Sequence, residues 1–313
     1  MSHPTPTFPA MTSASSLHSR KLGSILGLVV GDAIGAASVY QQMGSFPPVT
    51  GMVGGGPFNL PAGAWTDDGS MALCLAESLV EAGCFDAQDQ MRRYVRWWRE
   101  GHLSSVGRCF DIGIAVHQAL VRFERTSNPL AGSPDAHGAS SGSIARLAPV
   151  VAWASASVPL ALKLARESSR TTHRSADAVD GCELLARLIL GAYQGENVTL
   201  PMAAVLTAWS PALHRVARMH GAGGEAPPQP PTGNVVEALG CARWCVARGG
   251  NFRDAVLLAA NLGGEADTIA AVTGQIAGAR HGVEAIPVEW IDRLAMRDRV
   301  LELAEGVARG GVM

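Results

Sequence analysis

KLGSILGLVVGDAIGAASV, residues 21–39, carries a glycine at every fourth position, namely Gly23, Gly27, Gly31 and Gly35. The residues between the glycines are mostly Leu, Ile, Val and Ala, which predicts one helix over 21–39. Residues four apart share a helix face, so the glycines form a bare stripe along which another backbone can approach closely. A glycine inside a helix costs about 1 kcal/mol relative to alanine, so the stripe predicts a central, tightly packed helix.

A second stripe of the same kind lies near the end of the chain, where Gly274, Gly278 and Gly282 repeat the spacing. They fall in and just after a helix predicted over 268–279. Both helices are therefore expected to be central. The spacing alone leaves open whether they pack against each other.

The composition favours an all-α protein. The chain has 313 residues, of which 47% are hydrophobic but only 5% aromatic. An apolar content of mainly Ala, Val and Leu suits close-packed helices better than strands. With no repeat and no compositional boundary, one domain over 19–313 is predicted, after a disordered tail over 1–18. Further helices are predicted over 70–81, 89–100, 110–124, 148–165, 176–193, 201–208, 235–247, 253–262 and 287–308, with long loops over 126–143 and 221–233.

Charge and cysteine content exclude several classes of protein. The net charge of −2 gives no general attraction to nucleic acid or to an anionic membrane. Six cysteines are too few for a disulfide scaffold and indicate a reducing cytoplasm. The apolar run over 22–30 is too short to span a bilayer. A soluble cytoplasmic protein, monomeric and without nucleic-acid or membrane partners, is predicted.

Two short acidic clusters stand where predicted helices begin, and they are Thr66-Asp67-Asp68 and Glu265-Ala266-Asp267-Thr268. Acidic residues at a helix start often cap free backbone N–H groups, and that explains either cluster alone. Brought together, their carboxylate and hydroxyl oxygens would instead suit a hard cation such as Mg²⁺ or Mn²⁺. The doubled pattern favours the metal site slightly over two coincident caps.

Three other segments concentrate polar groups. Ser140-Ser141-Gly142-Ser143, followed by Arg146, could bind a phosphate, although such a loop is more often a plain linker. The segment over 168–173 adds Thr172 and His173, and a lone histidine there is more often a structural hydrogen bonder. Asp111 stands at a predicted helix start and is by default a cap.

Taken in order, these segments resemble the ADP-ribosylglycohydrolase family from about residue 21 to residue 310. The motifs that carry the resemblance are Gly27-x-x-x-Gly31-Asp32-Ala33-Ile34-Gly35, Trp65-Thr66-Asp67-Asp68-Gly69-Ser70-Met71, Cys109-Phe110-Asp111-Ile112-Gly113, Gly142-Ser143-Ile144-Ala145-Arg146-Leu147-Ala148-Pro149, Ser168-Ser169-Arg170-Thr171-Thr172-His173 and Asn261-Leu262-Gly263-Gly264-Glu265-Ala266-Asp267-Thr268. Six motifs in the family's order are far more specific than either acidic cluster.

The resemblance implies an orthogonal helical bundle with two Mg²⁺ or Mn²⁺ ions at the base of a cleft. It implies hydrolysis of the bond between ADP-ribose and a protein side chain, with arginine as the expected acceptor. The matching metal ligands are Thr66, Asp67, Asp68, Glu265, Asp267 and Thr268. The matching catalytic residues are Asp32, Asp111 and Glu265. Substrate would be bound by Asp32, Asp111, Ser141, Gly142, Ser143, Arg146, Thr172 and His173.

The chain departs from the family pattern near the expected chemistry. A glutamate is usual seven residues after the Gly-Asp aspartate, and that position is Val39. Gly69 replaces a threonine and Glu265 replaces an aspartate, while Ile114 and Ser141 stand where asparagine is common. A hydrolase of an ADP-ribosyl bond is therefore the leading hypothesis. The alternatives are a catalytically impaired ADP-ribose-binding protein that acts as a reader or regulator, and a purely structural use of the fold.

Overall fold

The structure, a computed structural model, describes residues 13–135, 139–200, 202, 209–218 and 232–310. Within these residues it contains fourteen α-helices and no β-strand, which confirms the all-α prediction. The helices are α1 Ser13–Gly35, α2 Asp67–Ala82, α3 Ala87–Glu100, α4 Ile114–Thr126, α5 Gly142–Ala145, α6 Ala148–Trp153, α7 Val158–Arg170, α8 Ala176–Tyr193, α9 Pro211–Arg218, α10 Val235–Gly249, α11 Phe252–Ala260, α12 Ala266–His281, α13 Val288–Arg293 and α14 Arg297–Ala308.

The two glycine stripes face each other where α1 packs against α12. A methyl group placed on Gly27 would overlap the carbonyl oxygen of Gly274, and one placed on Gly23 would overlap that of Gly278. Gly31 and Gly35 meet the backbone of Ala270 and Ala266 in the same way. As the numbers rise along α1 they fall along α12, so the helices are antiparallel. The end of α1 therefore lies against the beginning of α12, which places Asp32 beside the second acidic cluster.

Several predicted boundaries differ from those observed. The helix predicted over 148–165 is two helices, because Ser157 is extended and Pro159 lies in the first turn of α7. The helix predicted over 287–308 is also divided, because Met296 adopts a left-handed conformation and Ala295 donates its N–H to the carbonyl of Gly63. Helix α4 begins at Ile114 rather than at 110.

Helix α9 lies in a segment where no helix was predicted, whereas most of the helix predicted over 201–208 falls outside the described residues. Residues 1–12 of the predicted tail also lie outside them, and residues 13–18 belong to α1. None of the described helices is both long and apolar enough to cross a membrane.

Candidate active site

Asp32 binds the beginning of α2 from the neighbouring helix α1. Its side chain is fully buried and accepts hydrogen bonds from the backbone N–H of Thr66 at 3.0 and 3.1 Å and from that of Gly69 at 2.6 Å. The hydroxyl of Thr66 donates to the same carboxylate at 2.9 Å. Asp32 thus binds the free N–H of Gly69 in the first turn of α2, the group that an N-cap side chain of α2 itself would bind. Because of this, Asp67 and Asp68 are not needed as caps.

The two acidic clusters meet at the floor of a cleft. The hydroxyl of Thr268 donates to Asp68 Oδ2 at 2.7 Å, across a separation of 200 residues. Glu265 is the N-cap residue of α12, yet its side chain makes no capping hydrogen bond. Asp267 accepts one N–H, from the adjacent Thr268 at 2.8 Å. The capping explanation therefore does not account for most of these carboxylates.

Asp111 joins the same cleft from the loop before α4. It has a left-handed backbone, with φ of 57°, and its Oδ1 accepts a hydrogen bond of 2.6 Å from the hydroxyl of Tyr40. Its Oδ2 is buried and makes no hydrogen bond. Tyr40 has a left-handed backbone as well, with φ of 62°. A positive φ is uncommon in residues other than glycine, so two of them joined by one hydrogen bond form an unusual local structure.

Burial and mutual repulsion raise the pKa of the carboxyl groups. For Asp67, Asp68 and Asp267, burial is the largest cause and neighbouring carboxylates add to it, so each pKa lies well above its usual range. Burial and then Asp111 raise the pKa of Glu265. Burial raises the pKa of Asp32 to about 6, even though its hydrogen bonds from Thr66 and Gly69 act to lower it. None of the described residues that line the cleft is Lys or Arg, so its floor is strongly electronegative.

The donor set of the cleft floor fits Mg²⁺ or Mn²⁺. Carboxylate and hydroxyl oxygens are the ligands these hard cations prefer, and a bound cation would offset the repulsion described above. The hydroxyl of Thr66 gives its hydrogen to Asp32, and its lone pairs remain for a cation. In the described part of the chain, no three His, Cys, Asp or Glu side chains are already arranged to hold a metal ion.

The other end of the cleft is lined mainly by polar, uncharged residues, and Glu265 packs against one of its residues, Gly233. The cleft has a volume of about 390 Å³, and this end is lined by Ser140, Ser141, Gly142, His173, Thr232, Gly233 and Asn234. Ser141 donates its N–H to the carbonyl of Gly233 at 3.0 Å, so the two long loops predicted from the sequence meet here.

His173 is buried at this polar end. One ring nitrogen lies 2.8 Å from the hydroxyl of Ser140 and the other lies 2.7 Å from that of Thr172. Burial, and then Arg146, lower the pKa of His173 to about 3. The ring is therefore neutral at physiological pH and orients hydroxyl groups rather than transferring protons.

Four residues predicted to bind substrate lie behind the cleft wall. Asp32, Arg146 and Thr172 are fully buried, Ser143 is 2% exposed, and none of the four lines the cleft. The Arg146 guanidinium donates to Thr172 and to the carbonyl of Gly142 and lies 4.9 Å from the centre of the Tyr94 ring. The assignment of these four residues to substrate binding stays a prediction. Asp111, Ser141, Gly142 and His173 do line the cleft, as do the predicted metal ligands apart from Thr66.

Tyr40, Thr232 and Asn234 line the cleft but were not predicted to do so. The sequence signal for Tyr40 was that it directly follows Val39, the position at which the family pattern has an acidic group. Val39 itself is fully buried and does not line the cleft. The turn that follows α1 directs Val39 inward and Tyr40 toward the cleft.

The structure also shows what surrounds the other residues that depart from the family pattern. A methyl group on Gly69 would lie 2.7 to 2.9 Å from three atoms of Trp65, which is fully buried, so this packing requires glycine. Ile114 lines the cleft and is 68% exposed. Glu265 packs against Gly233, on which a methyl group would lie 3.3 Å from Glu265 Cδ.

The Val39→Glu variant is expected to be destabilised and not to gain activity. Val39 is fully buried, so the new carboxylate would be removed from water, at a cost of about 3 kcal/mol or more. Val53→Glu is the matched control, because Val53 is 59% exposed. Urea denaturation of both variants gives the free energies of unfolding. Equal stability of the two variants would show that position 39 has access to solvent or to the cleft.

Comparison with known proteins supports one assignment across the chain. The family model described as ADP-ribosylglycohydrolase matches residues 13–312. An ADP-ribosylarginine hydrolase, Tri1, from Pseudomonas putida (strain GB-1) is 38% identical over 91% of this chain and 77% of its own. The ADP-ribosyl-[dinitrogen reductase] glycohydrolase of Rhodospirillum rubrum is 28% identical over 90% of this chain and 92% of its own. A solved structure described as an ADP-ribosylglycohydrolase-related protein complex superposes with a TM-score of 0.83 at 41% identity, covering 95% of this chain and all of the other.

The fold and the acidic cleft define a hydrolase of glycosidic bonds. The chain belongs to the ADP-ribosylglycohydrolase family. The resemblance carried by the six sequence motifs is thereby confirmed.

Proposed function

We propose that this protein hydrolyses the glycosidic bond between ADP-ribose and the arginine side chain of a modified protein, and that it requires two Mg²⁺ or Mn²⁺ ions. The observation that carries the proposal is the hydrogen bond of Thr268 to Asp68, which joins two acidic clusters into one cleft floor. The arginine acceptor is supported by the relative at 38% identity, which is named an ADP-ribosylarginine hydrolase.

The charge distribution orients the substrate. The diphosphate is an anion, so it favours the hydroxyl groups of Ser140 and Ser141 beside His173 over the carboxylates around Asp111. The guanidinium of an arginine acceptor is a cation and favours the acidic end near Asp111. The ribose that joins them then lies over the cleft floor, where the scissile bond is cleaved.

Each acidic side chain has a distinct role in this arrangement. Asp67, Asp68, Glu265 and Asp267, with Thr66 and Thr268, would hold the cations. Bound cations would supply charge stabilisation for ribose oxygens and an activated water. Asp111 orients the acceptor or the attacking water, and Asp32 holds the beginning of α2 in position at the cleft floor.

We place the reaction in the cytoplasm because all six cysteines are free thiols.

The test is release of free ADP-ribose from ADP-ribosyl-arginine and from an arginine-modified protein, with Mn²⁺, with Mg²⁺ and with EDTA. Release with either cation and none with EDTA is expected. Calorimetry with ADP-ribose is run in parallel. Binding without release under every condition would contradict hydrolysis and would favour a catalytically impaired reader of ADP-ribose.

A further inference from the structure

Tyr40 connects three parts of the acidic end of the cleft. Its hydroxyl donates to Asp111 Oδ1 at 2.6 Å. Its backbone N–H donates to the carbonyl of Gly264 at 2.6 Å, and Gly264 donates in return to the carbonyl of Gln41 at 2.8 Å. The tyrosine is thus fixed at its backbone to the loop that carries Glu265 and at its hydroxyl to Asp111.

The ring of Tyr40 is held in place yet exposed. It packs edge-to-face on Phe58 with centroids 6.2 Å apart, and Phe58 packs on Phe110 with centroids 5.3 Å apart. Tyr40 nevertheless remains 57% exposed and lines the cleft. An exposed aromatic surface that cannot turn away, at the mouth of a cleft, is available for contact with a ligand.

The surroundings of the ring select a cation. Asp111, Glu265 and Asp267 lie close enough to Tyr40 to interact with it electrostatically, and no Lys or Arg is among the described lining residues of the cleft. An aromatic ring attracts a guanidinium group through its electron-rich face, and arginine suits this contact because its guanidinium is planar and weakly hydrated. A hydroxyl acceptor such as serine would gain nothing from this contact.

We propose that Tyr40 is an acceptor-binding residue, whose ring contacts the guanidinium of an ADP-ribosylated arginine while its hydroxyl positions Asp111. The inference rests on the proposed function and adds the residue that selects the acceptor. It assigns the two parts of one side chain to different tasks. The ring contributes to affinity for the acceptor, and the hydroxyl contributes to turnover through Asp111.

The test compares binding of two probes, ADP-ribosyl-agmatine and ADP-ribose, which differ only in the guanidinium-bearing acceptor. Wild type, Tyr40→Phe and Tyr40→Leu are titrated by calorimetry with and without Mn²⁺, and free ADP-ribose is followed to correct for turnover. Wild type is expected to bind ADP-ribosyl-agmatine more tightly than ADP-ribose by roughly 2- to 30-fold, the range of a cation–π contact. Tyr40→Phe keeps this ratio, and Tyr40→Leu brings it close to one without changing the affinity for ADP-ribose.

Turnover separates the ring from the hydroxyl and gives an independent check. Tyr40→Phe is expected to lower kcat with little change in KM, and Tyr40→Leu to raise KM as well. Gln42→Ala, an exposed neighbour, is the control and should match wild type in both measurements. A wild type without preference for ADP-ribosyl-agmatine, or a Tyr40→Leu variant that keeps the preference, would overturn the inference. If the protein does not hydrolyse the bond but its preference for ADP-ribosyl-agmatine is lost in Tyr40→Leu, the proposed reaction is refuted. This binding role would then still stand.

Discussion

The Asp267→Asn variant is expected to lose ADP-ribose release by at least about 10²-fold, the cost of misplacing reacting groups by about an ångström. Asp267 lies in the first turn of α12, is 3% exposed and lines the cleft floor. Asparagine has nearly the same shape but lacks the charge that would hold a divalent cation. The loss should therefore come from the metal site and not from a change in packing.

The variant should remain folded. Because the pKa of Asp267 is raised in the folded protein, its ionised form is disfavoured there and reduces stability at neutral pH. Removing that charge should leave the metal-free protein at least as stable as wild type. Asp298→Asn is the matched control, since Asp298 also lies in the first turn of a helix but its side chain is 96% exposed. Full activity of Asp267→Asn would remove this residue from the site.

The Gly27→Val variant is expected to lose more than about 3 kcal/mol of stability, beyond the usual cost of overpacking. The new side chain would meet the carbonyl of Gly274 and, at 3.0 Å, the ring of Phe252. Backbone cannot move aside as a flexible side chain can, so α1 and α12 must separate. Separation would part Asp32 from the second acidic cluster, and activity should be lost with stability.

Gly113→Val is the control for the same substitution. A methyl group on Gly113 meets no atom within 4 Å, and its backbone, with φ of −63° and ψ of 148°, accepts valine. Chemical denaturation should give Gly113→Val a free energy of unfolding close to that of wild type. A similar value for Gly27→Val would contradict the close contact of the two helices.

Much of this architecture could be predicted from the sequence because it depends on local spacing. The glycine stripes identified the faces of α1 and α12, and both acidic clusters stand at helix starts as expected. What the spacing could not give was the partner of each face. A stripe shows that some backbone comes close, and only the folded chain shows that Gly27 meets Gly274.

The depth of side chains at the candidate site could not be predicted from the sequence, and the reason is physical. Asp32 and Arg146 were predicted to bind substrate from their motifs, yet both are fully buried behind the cleft wall. Whether a side chain lies behind the cleft wall depends on the tertiary structure, which residue type does not reveal. Tyr40 was missed because its side-chain direction depends on the turn after α1, where its φ is positive, and residue type does not reveal this.

Close packing of α1 and α12 should bring the two acidic clusters together as one divalent-cation site. Calorimetric titration of the purified protein with Mn²⁺ measures this site, with Asp267→Asn and Asp298→Asn titrated alongside. We expect two bound ions per wild-type chain, the same for Asp298→Asn, and weakened or incomplete binding for Asp267→Asn. Absence of Mn²⁺ binding to wild type, or equal binding to Asp267→Asn, would show that the clusters do not form such a site.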